Sequence, residues 1–179
     1  MAYNVPTIDT TKFSFGPGVL KIAVAGTTPV TDVGAVRSGA TFTVTRTLLD
    51  VFQGSPQKLV KSYCTKEESV LVATGIEWNL ARLKDVLGAG EITGSTLLEF
   101  GGDMSMAEVS LQFIHQTPVG DCVVLSIWKA RGAGTIAVAY GDAIHEFPYS
   151  FSAIEATCDW ASSALAEKKK LWKMEIIKA

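Results

Sequence analysis

Alternating apolar and polar positions divide much of the chain into β-strands. Threonine occupies every second position from residue 41 to residue 47, and the positions between them include Phe42 and Val44. Period-two alternation with β-branched residues is typical of a half-buried strand. Gly54-Ser55-Pro56 interrupts this run and residues 59–65 resume it, which predicts a β-hairpin. A further strand is predicted from Ser69 to Trp78.

A second hairpin is predicted from residue 105 to residue 131. Val109 and Leu111 alternate with polar neighbours up to His115, and Thr117-Pro118-Val119-Gly120 turns the chain back into an apolar return strand. The two hairpins are of similar length. Two long ribbons of this kind would expose open strand edges in an isolated copy, and proteins normally cover such edges. Pairing with identical copies until a ring closes is one way to cover them.

One helix is predicted between the hairpins. Asn79 is a suitable N-cap, residues 80–87 carry an apolar stripe, and Gly88 stands where a helix-terminating glycine is expected. A helix this short must pack against a sheet to be stable. Shorter strands are predicted near residues 19–24 and 96–100. The pattern leaves residues 157–179 open between helix and strand, so the sequence predicts a mainly β protein with one helix.

Composition limits the function classes. The chain has 179 residues, which predicts a single domain, and its 16 Lys and Arg nearly balance 18 Asp and Glu. A dedicated nucleic-acid binder usually has a clear basic excess. No apolar run is long enough for a membrane helix, and the first eleven residues lack the apolar region of a secretory signal.

No motif predicts catalysis, a cofactor or a metal. The glycine-rich residues 88–94 have the wrong spacing for a dinucleotide turn and follow a helix instead of preceding one. His115 and Cys122 flank the second turn, but a nucleophilic pair also needs an orienting group and an oxyanion site. The histidines, His115 and His145, are too isolated for a metal cluster. We therefore expect no enzymatic activity.

The order of these features resembles that of the bacteriophage tail tube proteins, also called major tail proteins. The resemblance spans roughly residues 13–156 and depends on the order of several segments more than on any one motif. The segments are the strand Gly39-Ala40-Thr41-Phe42-Thr43-Val44-Thr45-Arg46, then Asp50-Val51-Phe52-Gln53-Gly54-Ser55-Pro56, Leu59-Val60-Lys61, Gly75-Ile76-Glu77-Trp78 with the following helix, and Phe147-Pro148-Tyr149-Ser150-Phe151.

The resemblance implies an antiparallel β-sandwich or barrel with one short flanking helix, in a single tail-tube domain with an N-terminal arm at residues 1–18. It also implies hexameric rings that stack into a hollow tube, with two hairpins from each copy joining an inter-subunit β-barrel. The protein would be made in the host bacterial cytoplasm and reside in the virion tail. Its partners would be sheath, baseplate, tail terminator and tape measure proteins, and viral DNA would pass without specific binding during genome ejection.

A conduit for DNA should not attract phosphates, so its wall is expected to be neutral or acidic. The lumen-facing candidates are Thr41, Thr43, Thr45, Thr47, Glu108, Ser110 and Gln112. Candidates for contacts between rings or subunits are Phe52, Gln53, Gly54, Ser55, Pro56, Lys168, Lys169 and Lys170. Cys64, Cys122 and Cys158 form no CxxC pair, and their odd number permits an intersubunit disulfide, although free thiols are the favoured interpretation.

Two other interpretations stay open. The tube of a phage-derived injection particle or a type VI-like secretion system would have the same architecture with a different cargo. A monomeric β-barrel module that binds a small ligand belongs to a different class. Assembly into rings separates the first interpretation from the second.

Overall fold

A single curved antiparallel sheet forms the body of the protein. The computed structural model describes residues 18–102 and 104–178. The predicted N-terminal segment at residues 1–18 therefore lies outside the described residues except for Gly18. The strands are β1 (Val19–Val24), β2 (Thr31–Asp32), β3 (Val36–Gln53), β4 (Lys58–Gly75), β5 (Glu91–Thr93), β6 (Leu97–Glu99), β7 (Glu108–Gln116), β8 (Cys122–Gly132), β9 (Phe147–Ala153) and β10 (Trp172–Ile177). One helix, α1 (Leu80–Leu87), follows β4.

The strand order confirms the predicted mainly β, antiparallel fold with one helix. The main sheet has the order β2-β1-β7-β8-β9-β4-β3, β10 pairs with β8, and β5 and β6 form a separate small hairpin. β2 and β3 lie at opposite ends of the sheet, so the barrel does not close within one copy. Each described pairing between strands is antiparallel.

The core lies against one face of this sheet, where alternate residues of the central strands point inward. The fully buried large side chains include Tyr149, Phe147, Phe151, Leu20, Ile22, Leu71, Leu111 and Ile127. Successive members of this set are two residues apart on β1 and β9, as expected for a strand with one buried face. Leu83 and Val86 of α1 join the same core.

The predicted helix is confirmed, together with both of its caps. The Asn79 side chain accepts a hydrogen bond from the backbone N–H of Arg82, and Gly88 has a left-handed φ of 72°. The helix lies very close to β8, because a Cβ at Gly132 would be 2.1 Å from the backbone oxygen of Val86. The backbone N–H of Gly134 donates to the same oxygen at 3.0 Å.

The first hairpin is longer than predicted. Residues 69–75 continue β4 instead of forming a separate strand, and β4 pairs with β3 from Gly75 down to Lys58. Register shifts between Thr47 and Leu48 and between Val51 and Phe52 keep this pairing continuous. Bulges of this kind absorb an extra residue without ending a ladder, so the sequence pattern changes phase while the strand continues.

The second hairpin is confirmed, but its predicted open edges are wrong. β1 pairs with the outer edge of β7, while β9 and β10 pair with successive parts of β8. The strand β10 formed by residues 172–177 is what covers much of β8. Before it, residues 159–169 contain only a short 3₁₀ turn at Glu167–Lys169 in place of a longer helix.

Candidate assembly surface

The outer part of the first hairpin projects from the body as a two-stranded ribbon. Every residue from 43 to 68 is exposed, and we call these residues the arm. β9 pairs with β4 only between Val70 and Gly75, so within the described chain the arm strands pair only with each other. At the usual rise per residue the arm extends about 30 Å. Its backbone edges and both of its faces are therefore open.

One face of the arm continues the outer face of the sheet. Residues directly opposite each other in an antiparallel pair share a face. Leu49 lies opposite Tyr63 and Val51 lies opposite Lys61, on the same face as the threonines at 41–47. Leu49, Val51 and Tyr63 are all exposed large side chains. Along β3 this face therefore changes from hydroxyl-bearing near the body to apolar near the tip, where β4 adds Lys61 and Lys58.

The other face continues the core-facing side of the sheet. Phe42 and Leu71 pair at its root and pack in or against the core, whereas Leu48, Phe52 and Leu59 farther out are 57%, 54% and 55% exposed. Apolar side chains thus extend beyond the body, where no described residue covers them. The polar pair of Asp50 and Ser62 lies between Leu48 and the Phe52–Leu59 pair, so this face alternates apolar and polar positions up to the tip. Exposed apolar side chains grouped on a projecting element typically mark a contact with another molecule.

Two ion pairs lie in the middle of the arm, one between its strands and one within β4. Arg46 Nε donates to Glu67 Oε1 at 2.8 Å on one face, and Lys66 Nζ donates to Glu68 Oε1 at 2.6 Å on the other. The pKa of Arg46 is raised by its hydrogen bond to Cys64 and by the charges of Cys64 and Glu67. The guanidinium therefore stays cationic and the arm carries charges of both signs.

The structure separates the lumen candidates into three groups. The threonines at 41, 43, 45 and 47 are exposed on the outer face, and their place on a channel wall stays a prediction. Glu108 and Gln112 are half-buried, and Glu108 Oε2 accepts from Lys129 Nζ at 2.8 Å. Ser110 is wrong as a wall residue because it is fully buried. Its hydroxyl donates to the Trp128 carbonyl and accepts from the N–H of Gly26.

The contact candidates also divide. Phe52 and the loop Gln53-Gly54-Ser55-Pro56 form the exposed tip of the arm, and Lys168 and Lys169 are exposed as well. Lys170 is half-buried, and its ammonium pairs with Glu155 at 2.7 Å and with Glu167 at 2.6 Å, so its place in a contact with another copy stays a prediction. These contacts raise the pKa of Lys170 and join it to Glu155 and Glu167. Contacts of the remaining candidates with other copies stay predictions.

The cysteines are free within the chain. Cys64 on the arm and Cys158 are exposed, and Cys122 at the start of β8 is half-buried. Two of the three therefore lie where a neighbouring copy has access to them. An intersubunit disulfide stays a prediction.

Two aromatic features were not anticipated from the sequence. An apolar opening of about 200 Å³ leads into the core, and its lining includes Phe42, Phe113, Leu125 and Met174. On the body, Trp78 is half exposed and its ring contacts those of Tyr140, His145 and Phe147. Their signal in the sequence is weak because the rings in each cluster come from strands and loops far apart in the chain.

Within residues 18–102 and 104–178, no group of three or more His, Cys, Asp or Glu is arranged to hold a metal ion. No helix in the same part of the chain is long and apolar enough to cross a membrane. Comparison with protein-family models and with curated proteins finds no match to this chain. The arm, exposed on both faces and at both strand edges, is the described feature with the strongest indication of a function.

Proposed function

We propose that this chain is a structural protein that polymerises through its arm into stacked rings, forming the tail tube of a bacteriophage. The tube conducts the genome into the host cell, and hexameric rings follow from the resemblance described above. The chain has no enzymatic role in this proposal. The observation that carries it is the arm itself, residues 43–68, exposed on both faces and at both strand edges.

The energetics of the arm favour assembly over a solitary role. A two-stranded ribbon is marginally stable in water by itself, and open strand edges promote pairing with other chains. Contact with neighbouring copies would bury the apolar side chains at both faces, with about 25 cal/mol gained per Å² of apolar surface removed from water. The same arm has no evident use in a monomeric ligand-binding module.

The geometry also favours a repeating contact. β3 is the free edge at one end of the sheet, and the short strand β2, which covers part of β1, is the edge at the other end. A contact between two different edges joins copies head to tail, and such contacts generate rings when the rotation closes. The threonines at 41–47 share their face with the Lys66–Glu68 ion pair, so this face has no net charge, which suits a wall that DNA must pass without adhering.

Electron microscopy of the purified full chain tests the proposal. The wild-type protein is expected to form rings or tubes in negative stain as its concentration is raised. A matched variant joins Arg46 to Glu67 through an Asn-Gly turn and so removes residues 47–66. Because Arg46 and Glu67 are directly opposite in the ladder, this two-residue turn closes the shortened hairpin.

The shortened variant is expected to keep the fold and stay monomeric. Circular dichroism and thermal unfolding check its fold, and size-exclusion chromatography gives its mass. A wild-type chain that remains monomeric at high concentration, or a shortened variant that assembles like wild type, contradicts the proposal. Tubes found with a cargo other than DNA would favour an injection or secretion particle.

A further inference from the structure

The tip of the arm carries cations as well as apolar side chains. Lys58 lies opposite Gln53 at the end of the ladder, and Lys61 lies opposite Val51 on the face that also carries Tyr63. Lys61 Nζ is 4.7 Å from the centre of the Tyr63 ring, and neither lysine forms an ion pair with another described residue. Val51 and Tyr63 share this face with the lysines, and Phe52 and Leu59 lie on the opposite face, so the tip combines apolar side chains with net positive charge.

A shallow cleft on the body has the complementary character. It is bounded by the small hairpin β5–β6, has a volume of about 390 Å³ and is lined by Gly90, Glu91, Glu99, Phe100 and Gly101. Phe100 is 61% exposed. Both carboxylates are exposed, and neither pairs with a cation among the described residues. The cleft thus combines one exposed aromatic ring with two uncompensated negative charges.

The two carboxylates also oppose the stability of their own hairpin. Glu91 and Glu99 are directly opposite in the register, so their side chains share a face. Like charges at opposite positions destabilise a strand pair. A hairpin with strands of only three residues is marginally stable, so this repulsion matters. Binding an external cation removes this repulsion.

We propose that the arm tip of one copy docks in the β5–β6 cleft of another copy, with Lys58 and Lys61 against Glu91 and Glu99. This inference rests on the proposed function and names the contact by which copies join. Charge and apolarity are complementary on the two surfaces. All residues of the arm are exposed, so the tip is accessible to another copy. Tip and cleft are different surfaces, so the contact runs head to tail and propagates.

Charge exchange provides the test. Variant one carries K58E and K61E, and variant two carries E91K and E99K. The four side chains are exposed, and variant two keeps like charges opposite each other in β5–β6, so both variants are expected to fold as wild type does. Each variant by itself meets like charges at every tip–cleft contact. We expect its midpoint concentration for assembly to rise at least about tenfold.

The decisive sample is an equimolar mixture of the two variants. The tip of variant one then matches the cleft of variant two, and the tip of variant two matches the cleft of variant one. Alternating copies should therefore assemble near the wild-type concentration, as should a single chain with all four substitutions. Light scattering gives the midpoints at about 0.1 M salt, where charges within about 10 Å still interact.

The outcomes are distinguishable from a failure of the proposed function. Recovery in the mixture, with each variant impaired alone, supports the tip–cleft contact. Wild-type tubes together with variants that assemble normally, or with a mixture that does not recover, overturn this contact and leave the tube proposal standing. A wild-type chain that never assembles contradicts both.

Discussion

Helix α1 contains a half-buried ion pair in which burial disfavours the carboxylate more than the neighbouring arginine favours it. Arg82 Nη1 donates to Asp85 Oδ2 at 2.6 Å, with the two side chains 16% and 25% exposed. Burial raises the pKa of Asp85, and the charge and hydrogen bond of Arg82 offset only part of that rise. An acid with a raised folded-state pKa stabilises the fold most at pH values below its unfolded pKa, and this contribution is lost as the pH rises through the folded pKa. At neutral pH the Asp85 carboxylate therefore costs stability, and Arg82 limits the cost.

Replacing Arg82 with methionine should expose this dependence. Arg82→Met leaves the carboxylate without its cation, so we expect a loss of about 1–2 kcal/mol in the free energy of unfolding at pH 7. The loss should shrink as the pH falls toward 3, because protonated Asp85 no longer needs a cation. Urea unfolding at several pH values measures it.

Lys84→Met is the matched control, since it removes a positive charge from the same helix without breaking an ion pair of the described structure. It should change stability less and with a weaker pH dependence. A loss in Arg82→Met that is constant from pH 7 to pH 3 would show that packing, and not charge, is responsible.

Gly132 determines how closely the helix approaches the sheet. A Cβ at this position would be 2.1 Å from the carbonyl oxygen and 2.6 Å from the carbonyl carbon of Val86, both backbone atoms that cannot rotate away. Gly132→Ala should therefore push α1 from β8 and cost about 1–3 kcal/mol. Gly141→Ala is the control, because nothing lies within 4 Å of its added Cβ. Thermal unfolding that shows equal stability for the two variants would contradict this packing.

At the scale of the element, the arm is expected to determine assembly while contributing little to the stability of a single copy. Its apolar side chains are already exposed in one copy, so replacing them removes few contacts within the fold. The triple variant Leu48→Thr, Phe52→Thr, Leu59→Thr should change the free energy of unfolding by no more than about 0.5 kcal/mol per substitution. The same variant should lose assembly, as seen by sedimentation and negative stain.

A control with equally exposed side chains elsewhere isolates the arm. Val24, Val30 and Val119 are 74%, 75% and 51% exposed and lie outside the arm. Their joint replacement by threonine should leave assembly at the wild-type level. If the arm variant assembles normally, or if the control loses assembly to the same extent, the arm is not the specific contact surface.

Elements with purely local determinants were predictable from the sequence. Asn79 and Gly88 mark the ends of α1 by backbone chemistry within a few residues, and the alternation indicates β7 and β8 as strands, although residues 109–111 and 124–128 are buried on both faces. The continuation of β4 was missed because its bulges change the phase of the pattern. β10 stayed ambiguous because a short segment with mixed lysines and apolar residues has no distinct period.

For the whole molecule, contacts between residues far apart in the chain could not be predicted from the sequence. The polar pattern alone placed Ser110 on a solvent-facing surface, yet its hydroxyl bonds to partners 18 and 84 residues away in the chain. The tip candidates at 52–56 are exposed, whereas the ion pairs of Lys170 depend on how the C-terminal segment folds back. The Glu91–Glu99 pair had no signal because β5 was not predicted.

The uncovered arm also has a consequence for timing in the assembly proposed above. Each newly synthesised copy exposes the apolar side chains and strand edges of the arm before any neighbouring copy is present. Premature aggregation is avoided only if nucleation of a new tube is much slower than elongation of an existing one. At the low concentrations in a cell a template would then speed the start of each tube, whereas a concentrated purified sample would still begin by itself, more slowly.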